Sequence, residues 1–286
     1  MEFINNIYDM KLKDIFNLPY EERVKIALTL TLEDRADLYQ KGDVMYNKLG
    51  CEDLESLTAA EKIAVNTSMT ALEAEMNEKP LDISYVELLN INRRILGSVY
   101  DWAGTERLVN LKKAEPLLQG RSVNYEDWKM IRLKVSGVLN RIDKISYDKN
   151  DLPEYKEMEL EELTECFAEL WRCHPFREGN TRTCTTFIYQ AALQHGINLN
   201  YQFTLPDKIK LRDALVLGND PLNHEKTRFN ALYNILAASV QGEQLKLKEM
   251  PMNFNMNVAK ERMEADLKSR QSGKVDKKHI QTYSLI

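Results

Sequence analysis

Several residue types and patterns are scarce in this chain, and each scarcity excludes something. Four cysteines in 286 residues (Cys51, Cys166, Cys173, Cys184) are too few for a disulfide framework. None forms the closely paired Cys spacing that would join His195 in a zinc set. No apolar run approaches the roughly 20 residues that span a bilayer. The opening Met1-Glu2-Phe3-Ile4-Asn5-Asn6 has no basic region followed by an apolar stretch, so no secretory leader is expected. Positive charge is not in excess either. A net charge of −5 and a pI of about 5.6 argue against sequence-independent binding of nucleic acid, which needs a basic face. The expectation is a chain of the reducing cytoplasm with no membrane span and no direct contact with nucleic acid. Export by a specialised secretion route would leave no mark of this kind.

Helical periodicity is abundant. Apolar residues recur at helical spacing over Tyr20 to Leu30, Thr58 to Met76, Ile83 to Tyr100, Tyr125 to Ile145, Leu160 to Cys173, Thr183 to His195, Asp207 to Leu217 and His224 to Val240. Thr58-Ala59-Ala60-Glu61 reads as a capping box, and Gly196 reads as a helix stop. The pattern breaks between Gly104 and Asn124. There Leu108-Val109-Asn110-Leu111 is strand-like, and Pro116 and Gly120 punctuate a polar loop. The fold class expected is all-α: a helical bundle carrying a small β-hairpin or extended flap. Its units are an N-terminal helical extension (residues 1–57), a central domain (58–243, core about 83–240) and a charged helix or tail (244–286). That tail holds nine Lys/Arg against five Asp/Glu from Lys246 onward, and Gln271-Ser272-Gly273-Lys274 breaks it. A solvated charged helix is the reading preferred there.

One segment carries chemistry: His174-Pro175-Phe176-Arg177-Glu178-Gly179-Asn180-Thr181-Arg182. Pro175 disfavours helix at His174, so the preceding helix ends there. Gly179-Asn180 gives a turn with access to positive φ, and the next helix starts just beyond. A helix N-terminus offers unpaired N–H groups and partial positive charge to a phosphate. Asn180 can donate an amide hydrogen bond, and Arg182 can clamp phosphate oxygens. Glu178 can hold a Mg²⁺ that bridges phosphates. His174, if neutral, can take a proton from a hydroxyl. Together these describe a nucleotidyl- or phosphoryl-transfer site. The remaining histidines, His195, His224 and His279, read as structural or solvated. Cys173 reads as a small buried hydrophobe rather than a nucleophile. Trp102 and Trp128 read as core, and Lys112-Lys113 as a solvated flap face.

The segment resembles the signature of Fic proteins, HPFx[D/E]GN[G/K]RxxR. Upstream, Val99-Tyr100-Asp101-Trp102-Ala103-Gly104-Thr105-Glu106-Arg107-Leu108-Val109-Asn110 is similar to a second recurring block of that family. The resemblance covers roughly Ile83 to Val240. It implies a bacterial protein adenylyltransferase, with ATP as co-substrate and Mg²⁺, that modifies a Ser, Thr or Tyr hydroxyl of a target protein and releases pyrophosphate. His174 would be the base and Glu178 the Mg²⁺ ligand. Gly179, Asn180 and Thr181 would form the anion hole, Arg182 would neutralise phosphate, Phe176 would anchor the loop and Pro175 would shape it. The flap, with Leu108, Val109, Asn110, Leu111, Leu117 and Leu118, would align an extended target segment. Transfer of UMP or GMP, or a weakly catalytic nucleotide- or partner-binding module, remain open at this point.

Two positions depart from the signature: Thr181, in place of Gly or Lys, and Thr185, in place of a second Arg. The family's inhibitory motif, [S/T]xxxE[G/N], has no full match; Ser239 to Gln244, with Glu243, comes nearest and fails at its last position. The expectation is that no glutamate of the chain restrains it, and that any restraint comes from a small antitoxin-like protein in trans. A toxin–antitoxin pair, a secreted effector and a housekeeping regulator are all compatible with the motif.

Overall fold

In the computed structural model the described residues are 12–78, 82–200, 208–249 and 283–285. The helices are α1 (Tyr20–Thr29), α2 (Leu32–Asp37), α3 (Leu54–Glu78), α4 (Tyr85–Leu96), α5 (Ile131–Ile142), α6 (Pro153–Cys173), α7 (Asn180–Gln194), α8 (Lys208–Gly218) and α9 (Asn230–Ala237). The strands are β1 (Gln40–Lys41), β2 (Val44–Met45), β3 (Leu111–Lys113) and β4 (Tyr283–Leu285). Two small antiparallel sheets result, β1 with β2 and β3 with β4.

The bundle is arranged around α7. That helix buries most of its side chains, including Thr183, Cys184, Phe187, Ile188 and Ala191, and packs against both α4 and α6. The next layer follows from amphipathic spacing. α4 buries Leu88, Ile91, Asn92, Ile95 and Leu96, the i, i+3, i+4, i+7 face. Ser84 caps it by accepting from the Glu87 N–H at 3.1 Å. α5 lies on α6, α3 on α4, and α9 on α6 and α8.

The helices stand close to their sequence readings, and the differences have local causes. α3 starts at Leu54, because Asp53 caps it by accepting from the Ser56 N–H at 2.9 Å. Thr58 and Glu61 therefore lie inside the helix, and Glu61 makes no capping box. α3 also runs across the expected boundary at residue 57. α2 and the β1–β2 hairpin were not legible. α2 is held by a capping box of Thr31 with Asp34. In the flap, β3 pairs with β4 rather than with a return strand of its own loop. The loop instead forms a 3-10 turn at Pro116–Leu118. The reading of a peripheral helix with a break at residues 271–274, and His279, lie outside the described residues.

The N-terminal segment is tied to the bundle by buried polar groups. Arg23 of α1 pairs with Glu106 at 3.0 Å, both nearly without solvent contact. Arg132 Nε (2.7 Å) and the Tyr85 hydroxyl (3.2 Å) donate to the same carboxylate. The Tyr39 hydroxyl accepts from the Leu108 N–H at 2.9 Å. Removing a partner from a buried pair of this kind costs about 3–5 kcal/mol.

Candidate active site

α6 ends at Cys173, and His174 takes the left-handed conformation at its C-cap, φ 46° and ψ 58°. A β-carbon is disfavoured there, so the corner needs external support. Arg107 supplies it. Its guanidinium is fully buried and donates to the carbonyls of His174 (2.7 Å), Cys173 (3.3 Å), Val109 and Glu126. Its backbone N–H donates to Pro175 O at 2.9 Å. Burial lowers its pKa to about 10, which leaves it charged at neutral pH. Arg107 was quoted in the upstream block, but its role was not legible in sequence.

His174 Nδ1 lies 3.1 Å from the Trp171 carbonyl. That oxygen can only accept, so Nδ1 carries the proton and Nε2 the basic lone pair. Burial, then the charges of Arg107, Lys113 and Arg212, hold the imidazole pKa well below 6.5, against the opposing Trp171 bond. The ring is neutral at physiological pH, as a base must be. It is packed edge-on against Trp171 and at 4.1 Å from the Tyr125 ring.

The loop from Pro175 to Gly179 is closed by its own side chains. Asn180 Oδ1 accepts from the Phe176 N–H (2.9 Å) and Nδ2 donates to Phe176 O (2.8 Å). The amide expected to meet phosphate is thus turned into the loop, where it fixes the turn. Phe176 is fully buried. Asn92 ties the loop to its neighbours. It donates to Glu178 O and Thr183 Oγ1, each at 3.1 Å, and accepts from the Gly104 N–H at 2.8 Å. Gly179 has φ 78°, and a Cβ there would lie 2.6 Å from Leu96 Cδ1, so only glycine fits.

α7 begins at Asn180, and the N–H groups of its first turn lack intrahelical acceptors. The Gly179 N–H donates to Glu178 Oε1 at 3.0 Å. Thr181 Oγ1 accepts from Trp171 Nε1 at 2.9 Å, which gives the departure from Gly or Lys a structural purpose. Arg182 is exposed at the start of the helix, with Glu61 of α3 at 3.6 Å. Glu61 also accepts from the Tyr100 hydroxyl at 2.6 Å. Burial and the nearby Glu178 carboxylate raise its pKa. Two carboxylates therefore flank the helix start. No group of three or more metal-ligating side chains occurs among the described residues. The donor set suits a Mg²⁺ held by Glu178 and completed by phosphate oxygens.

The flap residues Leu108, Val109, Leu111 and Leu118 are buried, while Asn110 and Leu117 are half-buried. What the flap can offer is its backbone edge, because those apolar side chains fill the core. Lys112 is exposed, but Lys113 is buried with Glu115 at 3.6 Å, so the pair is not one solvated face. Ser239 donates to Ile235 O, and Glu243 pairs with Lys156 at 2.8 Å. Lys156 sits in the first turn of α6, about 25 Å along the helix from His174. The near-match to the inhibitory motif is therefore not part of this site. The acid beside Arg182 is Glu61, which that motif could not find because Leu57 stands four residues before it and Lys62 follows it.

The helical bundle thus places a neutral buried histidine before a glycine turn and an exposed arginine on the next helix. The chain matches, over residues 82–192, the family model described as the Fic/DOC family. It is 25% identical over 195 residues to a protein adenylyltransferase of Bartonella henselae, a match covering 65% of this chain and 36% of that protein. The chain thus spans about a third of that relative's length. The fold is similar to that of the N-terminal Fic domain of Bep8 from Bartonella sp. 1-1C, with TM-score 0.55 and 17% identity over 75% of this chain and 99% of that one. It is also similar to BepC from Bartonella tribocorum with bound AMPPNP, with TM-score 0.51 and 18% identity over 69% and 94% of the two chains. No helix among the described residues is long and apolar enough to cross a membrane.

Proposed function

We propose that this chain is a protein adenylyltransferase that moves AMP from ATP to a Ser, Thr or Tyr hydroxyl of a target protein. One observation carries the reading. A histidine held neutral by burial, with its proton fixed on Nδ1, stands directly before the loop that opens onto α7 and Arg182. The first-turn N–H groups of Asn180 and Thr181, with that of Gly179 once Glu178 turns to Mg²⁺, suit the phosphate chain, with Arg182 neutralising its charge. Asn180 and Asn92 hold that turn rigid. Glu178 would hold Mg²⁺, which supplies charge neutralisation at the phosphates. His174 Nε2 takes the hydroxyl proton as the oxygen attacks the α-phosphorus and pyrophosphate leaves. Catalysis is then mostly positioning and electrostatics.

The relative from Bartonella henselae bears the name of this activity, and the BepC structure holds a nucleotide triphosphate analogue. Both support the reading. One observation favours a second reading, a module that binds nucleotide with slow turnover: Thr185 is buried where the signature has an arginine, so that position brings no guanidinium to the terminal phosphate. We place the catalytic unit at 54–243, because its first helix starts at Leu54, and keep the residues before it as an extension and 244–286 as a tail. It would act in a bacterial cytoplasm or as an exported effector, restrained in trans by a small antitoxin-like protein if restrained at all.

The test is incubation with Mg²⁺, α-labelled ATP and a lysate, beside His174→Ala. Label on protein that disappears in the variant is the expected result. No label with ATP, but label with another α-labelled nucleotide, changes the donor. Labelling by His174→Ala at the wild-type rate overturns the reading.

A further inference from the structure

We infer that Glu115 and Arg212 are positioning residues for the catalytic base: their buried ion pair ties the flap to α8 and seats the Tyr125 ring against the His174 imidazole. The inference rests on the transferase reading above and adds two residues from outside the signature to the same site.

The imidazole has two aromatic neighbours of different kinds. Trp171 meets it edge-on, with ring centroids 5.4 Å apart, and its carbonyl fixes Nδ1. Trp171 belongs to α6, the helix that ends at the histidine. Tyr125 lies closer, with centroids 4.1 Å apart and planes tilted by 37°. It also meets Trp171, at 5.9 Å and 66°. Tyr125 is in no helix or strand, so its place depends on what holds the flap around it.

Glu115 supplies that hold. Its side chain is fully buried. Burial, then this carboxylate, raises the Tyr125 pKa, so the phenol beside it stays protonated. A buried carboxylate is costly unless it is paired. Arg212 of α8 donates from Nη2 to both of its oxygens, at 2.7 and 2.9 Å, and Lys113 of β3 lies at 3.6 Å. The backbone of Glu115 also closes the flap loop. Its N–H donates to Arg121 O at 2.9 Å, and its carbonyl accepts from the Leu118 and Gly120 N–H groups, each at 3.0 Å. Arg121 then pairs with Asp220, just past α8, at 3.2 Å. The flap is thus anchored to α8 at two points, and the buried one lies beside the residue that packs on the base.

The charges give this pair a direction. Among the described residues the imidazole faces Arg107 from before β3, Lys113 from β3 and Arg212 from α8. The phenol of Tyr125 is neutral, and so is the neighbouring Cys173 thiol, which burial pushes up to about 12. Breaking a purely structural pair from either side gives the same result. Here the two sides differ. Loss of Arg212 takes a positive charge away from the imidazole, whereas loss of the Glu115 charge leaves Arg212 and Lys113 uncompensated beside it.

The test is ATP turnover by the full chain with Mg²⁺, read as AMP release or transfer across about pH 5 to 8, for wild type, His174→Ala, Glu115→Gln, Arg212→Gln and Tyr125→Leu. A base displaced by about 1 Å loses on the order of 100-fold in rate. The expected result is a fall in kcat of about 10- to 100-fold in Glu115→Gln, Arg212→Gln and Tyr125→Leu, with KM for ATP within about twofold of wild type. The acid limb of kcat should move to higher pH in Arg212→Gln and not in Glu115→Gln. Tyr125→Leu removes the ring and leaves the ion pair intact, so it reads the contact with the imidazole even where a pair variant fails to fold. Wild-type kcat in Tyr125→Leu or in either folded pair variant, or a raised KM with kcat intact, overturns the inference and leaves the transferase reading standing. Acid limbs that coincide in Glu115→Gln and Arg212→Gln make the pair structural only and overturn it as well. A wild type with no His174-dependent turnover overturns the two readings together.

Discussion

Replacing Arg107 with lysine keeps the charge but removes the fork that holds the catalytic corner. The guanidinium reaches four carbonyls on three segments: Cys173 and His174 at the end of α6, Val109 before β3, and Glu126 beyond the flap. An ammonium group is a single point with no planar spread. It cannot meet His174 O and Glu126 O together, so at least two buried carbonyls lose their donor. At about 1–3 kcal/mol each, Arg107→Lys should lower stability by about 2–6 kcal/mol in urea denaturation. The kinetic effect is more telling. His174 holds a left-handed φ against its own preference, and displacement of a catalytic group by about 1 Å costs on the order of 100-fold. The start of α7 is held separately, by Asn180 and Asn92. The expected signature is therefore a large fall in kcat for transfer or ATP hydrolysis with KM for ATP little changed. Wild-type kcat in a folded Arg107→Lys chain, or a raised KM with kcat intact, would refute the clamp.

Three further outcomes follow from the same geometry. Gly179→Ala adds a left-handed penalty of about 1–2 kcal/mol to overpacking of about 1–3 kcal/mol against Leu96; an unchanged urea midpoint would contradict it. Glu61→Gln keeps an acceptor for the Tyr100 hydroxyl but removes negative charge beside Arg182 and Glu178, so ATP should bind several-fold tighter by calorimetry, about 1 kcal/mol, and weaker binding would assign Glu61 to holding the nucleotide. The His174 pKa lies well below 6.5 in the folded chain, so transfer should show no acid limb centred near pH 6.5. The unfolded chain takes up that proton first, so this histidine's contribution to stability is present above pH 6.5 and lost below it, by at most about 1.4 kcal/mol per unit. Urea curves of wild type and His174→Ala at about pH 7.5 and pH 5.5 would read the difference.

The long helices could be read from the sequence because each has one apolar face and a local stop. Pro175 ends α6 at Cys173, and Gly179 starts α7 at Asn180. α2, with six residues, is too short to display a period, and it stands on a local capping box. The strand beside β3 comes from the far end of the chain, and no local pattern announces such a pairing. At the site, residue types pointed to the chemistry but not to who holds whom. Asn180 looked like a ligand donor, yet its two polar atoms meet the backbone of Phe176 four residues earlier. Glu61 looked like a cap because an acid three residues after a threonine fits that pattern; the real cap, Asp53, freed it for Arg182 and Tyr100.

The positions at which this motif varies carry its tertiary support. Arg177 fills the unspecified place in the signature, is buried, and donates to Gln40 of β1 at 2.6 Å. Thr181 replaces Gly or Lys and receives the Trp171 indole. On the proposed function His174, Glu178 and Arg182 would face nucleotide and target, so reaction chemistry would constrain them. Arg177 and Thr181 face the protein, so they answer to whatever packs against the loop. Here that is the N-terminal hairpin and the last turns of α6. The Arg23–Glu106 pair and the Tyr39–Leu108 bond extend the same support to the flap. Residues 20–45 are therefore part of what holds the 175–179 loop in place, since removing them would take Arg23 from Glu106 and Gln40 from Arg177.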